Sequence, residues 1–159
     1  MFATLEGAEA LDLRLSALPA LMRARLETKA RELADALAAK VQDKLSGQAL
    51  ATRSGALKAS IVAEIGGGDA VSASVGSNGD VKYAAIQEYG GRTSAHEIVA
   101  QKGQALAFLA GDGLRFTRRV QHPGSTVPGR AYLSSSLEET RDLIVGAFVA
   151  EARQAWEQP

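Results

Sequence analysis

Between Pro19 and about Ser46, apolar residues recur at steps of three or four: Met22, Leu26, Ala30, Leu33, Leu37, Val41 and Leu45. Arg23, Arg25, Glu27, Lys29, Arg31, Glu32, Asp35, Lys40 and Asp43 fill much of the rest. This is the period of a helix that buries one stripe, about 42 Å long at 1.5 Å per residue. One stripe implies one partner surface, most simply a sheet face. A coiled coil is the second reading, but the steps are not sustained heptads with ordered flanking charges. Ser46-Gly47 supplies the stop. Before this helix, Phe2 to Leu5 predicts a short strand, and Leu11, Leu15 and Leu18 predict a short helix that Pro19 ends or kinks.

From Leu57 the period becomes two. Leu57, Ala59, Ile61, Ala63 and Ile65 alternate with Lys58, Ser60, Val62 and Glu64; Gly66-Gly67-Gly68-Asp69 turns; Val71, Ala73 and Val75 return. That is an antiparallel hairpin. The triple glycine is not a phosphate loop, because no Lys-Ser/Thr and no helix start follow it. Ser77-Asn78-Gly79-Asp80 is a second turn. Farther on, Leu106 and Phe108 alternate, Gly111-Asp112-Gly113 turns, and Leu114, Phe116 and Val120 alternate with Arg118 intruding. This predicts a second hairpin with Arg115, Thr117, Arg119 and Gln121 on its other side. His96 to Gln101 reads as a further strand, and Gly90 to Ala95 as a loop. The last element is a helix with the stripe Leu133, Leu137, Ile144, Phe148, Ala152 and Trp156. Ser135 with Glu138, or Ser136 with Glu139, offers a capping box, and a start nearer Arg130 fits as well.

The expected fold is therefore α+β: an antiparallel sheet of about four to five strands against a long N-terminal helix and a C-terminal helix, with a protruding hairpin. It is expected to form one domain: 1–18 strand and short helix, 19–46 long helix, 57–122 β-rich, 130–157 C-terminal helix. A chain of 159 residues suits one core that removes roughly 70% of the unfolded surface from water.

Composition then narrows the chemistry. There is no cysteine, so no disulfide and no thiolate, and only two histidines. His96 and His122 have no acidic pair beside them and read as structural, not as metal ligands. Ser134, Ser135 and Ser136 lack the glycine elbow of a nucleophile. Glu88 and Glu97 sit in no aromatic-rich context of the kind a glycosidase carboxylate pair favours. Aromatics are 5% of the chain, too few for a base-stacking platform. These features predict no enzyme, no metal and no cofactor. Lysine plus arginine equal aspartate plus glutamate at 18 each, so no global field draws the chain to DNA or a membrane. From Gly113 to Leu137, however, there are four arginines (Arg115, Arg118, Arg119, Arg130) and no acid. They are a solvated face or a surface facing DNA or an acidic partner. No apolar run approaches the ~20 residues of a membrane span, and the N-terminus lacks a signal-peptide layout. The expected working compartment is the cytoplasm of the cell that makes the protein.

Four segments in order carry a resemblance. They are Arg53-Ser54-Gly55-Ala56-Leu57-Lys58-Ala59-Ser60-Ile61; Tyr83-Ala84-Ala85-Ile86-Gln87-Glu88-Tyr89-Gly90; Ala105-Leu106-Ala107-Phe108 with Val120-Gln121-His122-Pro123-Gly124; and Pro128, Tyr132 and Leu133. Together they resemble the tail-completion and head–tail joining proteins of tailed bacteriophages, with Ser54 where that family usually has threonine. The resemblance implies a virion protein of the head–tail junction: a homo-oligomeric ring, sixfold in that family, which completes or terminates the tail. Its implied partners are the tail tube protein, the head-side connector or stopper, and duplex DNA passing through the lumen. Interface residues expected on this basis are Arg53, Glu88, Tyr89, Arg92, Phe108, Phe116 and Tyr132, with Glu88 pairing Arg53 or Arg92 within or across subunits. Arg115, Arg118, Arg119 and Arg130 are the candidates to face DNA. The alternative is a sequence-independent nucleic-acid-binding protein that uses the basic 115–130 region directly.

Overall fold

The computed structural model describes residues 8–48, 54–66, 70–101, 103–111 and 113–157, with the side chains of 8–15, 48 and 110 left aside. The expected strand at 2–5, the turn residues 67–69, Arg53 and the side chains of Leu11 and Leu15 lie outside what is described. The chain is α+β, in two compact units: 1–84 with 131–159, and 85–130.

The first unit is built on α1 (Ala8–Asp43). Pro19 lies inside this helix, so the short helix expected before it does not end there. Proline's fixed φ is itself helical; its costs are one missing N–H and crowding of the preceding turn. The good helix formers Ala17, Leu18, Ala20, Leu21, Met22 and Arg23 around it outweigh that. After Asp43 the helix loosens into a π turn over Lys44–Gln48 and ends where Gly47 takes a φ of 127°, at the predicted stop.

The buried stripe of α1 is Ala30, Ala34, Ala38 and Val41, continued by Leu45 in the π turn. Three alanines in succession leave room for a close neighbour, and α1 packs on α4 (Tyr132–Glu157). Arg25 pairs with Glu151 at 2.7 Å near one end, and Lys40 and Lys44 pair with Glu139 at 2.8 and 2.6 Å near the other. The opposed order of these pairs makes the two helices antiparallel.

α4 begins at Tyr132, so the serines that were expected to cap it lie within its first turns. Ser136 is fully buried and donates its Oγ–H to the Tyr132 carbonyl at 2.7 Å. The covered face of α4 holds Leu133, Ile144, Phe148 and Ala152 as expected, but Leu137 and Trp156 face solvent.

Ala56–Ala59 is a single helical turn, α2, where the alternation of residues 57–60 predicted strand. Four residues carry too little periodicity to tell a turn of helix from a strand, and Gly55 at φ 73° starts the helical one. Strand β1 (Ile61–Gly66) then pairs antiparallel with β2 (Ser72–Ser77), Ile61 opposite Ser77 and Ala63 opposite Val75. The core of this unit joins Ala38, Val41, Leu45, Leu57, Ile61, Ala84 and Tyr132, with Leu37, Ala63, Val75, Val81 and Leu133 packed around it.

The Glu139 carboxylate is held down to about 2 by hydrogen bonds from Lys40 and Lys44. A carboxyl with a lowered folded-state pKa adds stability that is complete above its unfolded value and is lost as pH falls through the folded one. The window here runs from the ordinary glutamate range down to about 2. Glu139 is exposed, so the effect is small. Urea melts at stepped pH are expected to show the wild type losing more stability across that window than Glu139→Gln; parallel curves would contradict the clasp.

The second unit carries α3 (Ala84–Tyr89, whose first residue belongs to the first unit), β3 (Gly91–Arg92), β4 (His96–Val99), β5 (Leu106–Ala110), β6 (Gly113–Thr117), β7 (Arg119–His122) and β8 (Thr126–Val127). The expected single sheet is replaced by two-stranded ladders: β1–β2 in the first unit, then β3–β8, β4–β7 and β5–β6 in the second, all antiparallel.

Candidate functional site

The segments that carry the resemblance divide between core and clasp. Leu57 and Ile61 of the first segment are core residues beside Val41 and Leu45. Arg53, expected in an interface, is outside the described residues. In the second segment α3 ends on Gly90, which takes φ 74° and donates its N–H to the Ile86 carbonyl at 2.9 Å, a left-handed helix stop.

Gly90 meets the Pro128-Gly129 segment directly. A Cβ at Gly90 would stand 2.6 Å from the Gly129 nitrogen, and one at Gly129 would stand 3.0 Å from the Tyr89 carbonyl. Two backbones approach here with no room for a side chain between them. Arg130 N–H donates to the Gln87 carbonyl at 2.8 Å, and β3 pairs with β8, Gly91 opposite Val127. Beyond β3, Thr93 N–H donates to the Ser125 carbonyl at 2.9 Å and Ser125 N–H to Thr93 Oγ1 at 2.8 Å. Gly124, at φ 87°, lies against the Thr93 carbonyl. The Tyr83 and His122 segments are thus two halves of one clasp. Gly124, Gly129 and Thr93 went unread as partners because their contacts join residues more than thirty positions apart. The glycines beside Pro123 and Pro128 were the available signal.

The histidines serve the same construction. His96 and His122 face each other across β4–β7 with ring centroids 5.1 Å apart. His122 Nδ1 accepts the Gly124 N–H at 3.0 Å, and His96 Nδ1 contacts the Ser94 carbonyl at 3.0 Å. Among the described residues there is no group of three or more His, Cys, Asp or Glu placed to hold a metal. An open cleft of about 760 Å³, lined by Pro19, Met22, Arg23, Leu26, Val71 and Phe148, is apolar and gathers no acid–base pair.

Of the expected interface residues, Tyr132 is only 1% exposed, with its hydroxyl donating to the Ala84 carbonyl at 3.2 Å. It is a core residue of the first unit. Glu88 is 4% exposed, interior as well. Tyr89 and Arg92 are exposed, and Phe108 is half-buried.

Phe116 is 67% exposed on the β5–β6 hairpin. The ladder pairs Phe108 with Arg115, Leu106 with Thr117, Leu109 with Leu114 and Ala107 with Phe116. Directly paired residues share a face, so Phe108 and Phe116 lie on opposite faces. The apolar set Ala107, Leu109, Leu114 and Phe116 forms one of them. The strand also breaks at Arg118: Thr117 Oγ1 donates to the Arg119 carbonyl at 3.0 Å, and Val120 goes on to pair with Ile98 in β4–β7.

The four arginines do not form one bonded cluster. Arg115 is on β6, Arg118 at the bend, Arg119 on β7 and Arg130 before α4, all exposed. Arg119 is 3.5 Å from Glu97, across the β4–β7 ladder.

A family model described as "Bacteriophage HK97-gp10, putative tail-component" matches residues 9–90 of the chain. That span takes in most of α1, the first hairpin and the Tyr83–Gly90 half of the clasp. No curated protein and no solved structure matches the chain.

Proposed function

Because the chain belongs to the HK97-gp10-like family of phage tail components, we propose that it is the ring-forming subunit that completes or terminates the tail at the head–tail junction. A tail component is part of the virion and meets other phage structural proteins. Among the described residues no helix is long and apolar enough to cross a membrane. In the proposed role the ring connects the tail tube to the head-side proteins and lets duplex DNA through, as a structural protein and not an enzyme.

The observation that supports this reading most is the β5–β6 hairpin. It is a two-stranded ladder with large apolar side chains on both faces, and Leu109 is 84% exposed. A lone ribbon of this kind is marginal in water and gains stability when a neighbour covers it. Tyr89 and Arg92, exposed beside the clasp, are proposed as further interface residues. Arg115, Arg118, Arg119 and Arg130 are proposed to face the DNA path, where scattered guanidinium groups contact phosphates without reading sequence.

Native mass measurement and light scattering over a range of protein and salt concentrations, with and without duplex DNA, test the proposal. Closed oligomers that form as concentration rises, with weak and salt-sensitive DNA contact, are expected. A chain that stays monomeric throughout yet binds DNA with a steep salt slope would favour the DNA-binding alternative and overturn the ring.

A further inference from the structure

A closed ring needs a heterologous contact: each subunit offers two different surfaces, one to each neighbour. Among the described residues, eight of the twelve large exposed apolar side chains lie on β5–β6 or on α4. On the hairpin they are Leu109, Leu114 and Phe116, gathered on one face with Ala107. On α4, Val145, Val149 and Trp156 are exposed at steps of four and seven, which places them in one line along the helix. This line is separate from the covered stripe, which runs through Ser136, Ile144, Phe148 and Ala155.

The two surfaces also differ in the charge beside them. Arg118 follows Phe116 at the base of the ribbon, and no described acid lies on β5 or β6. The α4 line carries Glu138 and Asp142 at the end before Val145. Arg141 lies on one flank at that same end and Arg153 on the other flank toward Trp156, so the excess at that end is a single negative charge. From Leu114 to the Arg118 bend is about 13 Å of extended chain, which fits within the about 21 Å of helix from Asp142 to Trp156.

We infer that the Ala107, Leu109, Leu114 and Phe116 face of one copy docks on the Val145, Val149 and Trp156 line of α4 in the next copy, with Arg118 toward Asp142. The inference rests on the ring reading above and names the surfaces that close it. Three or four apolar side chains on each face are fewer than the about 20–30 residues a side of a standard interface. Such a contact is weak for a pair and becomes stable when every subunit makes it twice.

The absence of native cysteine allows a clean test. Leu114→Cys and Val149→Cys, both at exposed positions, are made singly and together and treated with a short bis-maleimide, with circular dichroism confirming the fold. Mixing the two single variants is expected to give a cross-linked dimer that neither gives alone, and the double variant a ladder of oligomers. Arg118→Glu or Asp142→Arg is expected to lower the yield several-fold, and the two together to restore it. A dimer from Leu114→Cys alone, or only an intramolecular link in the double variant, would overturn the inference. If light scattering shows rings that do not cross-link, the surface pair is wrong and the ring stands; if no oligomer forms at any concentration, the ring reading falls and takes the pair with it.

Discussion

Replacing Tyr132 with alanine is expected to lower the unfolding free energy by about 3–5 kcal/mol, the range for removing a buried aromatic ring. The ring is enclosed among Val41, Leu45, Leu57 and Ala84 at the start of α4, with its hydroxyl on the Ala84 carbonyl. Loss of the ring opens a cavity where the long helix, the helical turn α2 and α4 converge. Tyr132→Phe removes only the hydroxyl and is expected to cost about 1 kcal/mol, the usual value of one hydrogen bond. Urea midpoints of the two variants make the comparison. If Tyr132→Ala cost under about 1 kcal/mol, the core placement would be wrong and the interface role first read from the sequence would return.

Gly90→Ala is expected to cost about 2–4 kcal/mol, through two additive effects. A left-handed φ of 74° strains any residue with a Cβ, and that Cβ would press on the Gly129 nitrogen, which is backbone and cannot swing aside. Gly79→Ala is the control. Gly79 has a φ of 88°, but nothing lies within 4 Å of the position its Cβ would take, so only the conformational cost of about 1 kcal/mol applies. Hydrogen exchange locates the difference. Gly90→Ala is expected to release amides at Arg130, Thr93 and Ser125 while the α1–α4 pair keeps its protection. Equal costs for the two variants would show that the close approach at Gly129 contributes nothing.

The long helix, the first hairpin and the last helix were legible because each repeats a local period over many residues. What the sequence withheld depends on pairing between distant residues. β3 with β8 and β4 with β7 join positions 20 to 36 apart, and no local alternation announces which strand finds which.

The second hairpin shows how little is needed to misplace a face. With Gly111-Asp112-Gly113 read as a three-residue turn, Phe108 and Phe116 fall opposite each other. In the structure Ala110 pairs with Gly113, and every pairing changes parity. Leu114 and Phe116 therefore share a face with Leu109 and Ala107 instead of Leu106 and Phe108. The candidate site was legible in the same uneven way. Nothing local in the sequence marks Tyr132 and Glu88 as interior, because burial is a property of the closed fold.

The antiparallel packing of α1 on α4 joins the two ends of the chain: Arg25 and Glu151 are 126 positions apart. A ribosome adding about 5–20 residues per second finishes α1 several seconds before α4 emerges. During that interval Ala30, Ala34, Ala38, Val41 and Leu45 form an apolar stripe without its α4 partner. The long sequence separation also makes this packing a late and slow event in refolding. Recovery of soluble protein should therefore respond to translation speed and to chaperones that shelter an amphipathic helix, even though the finished fold depends on neither.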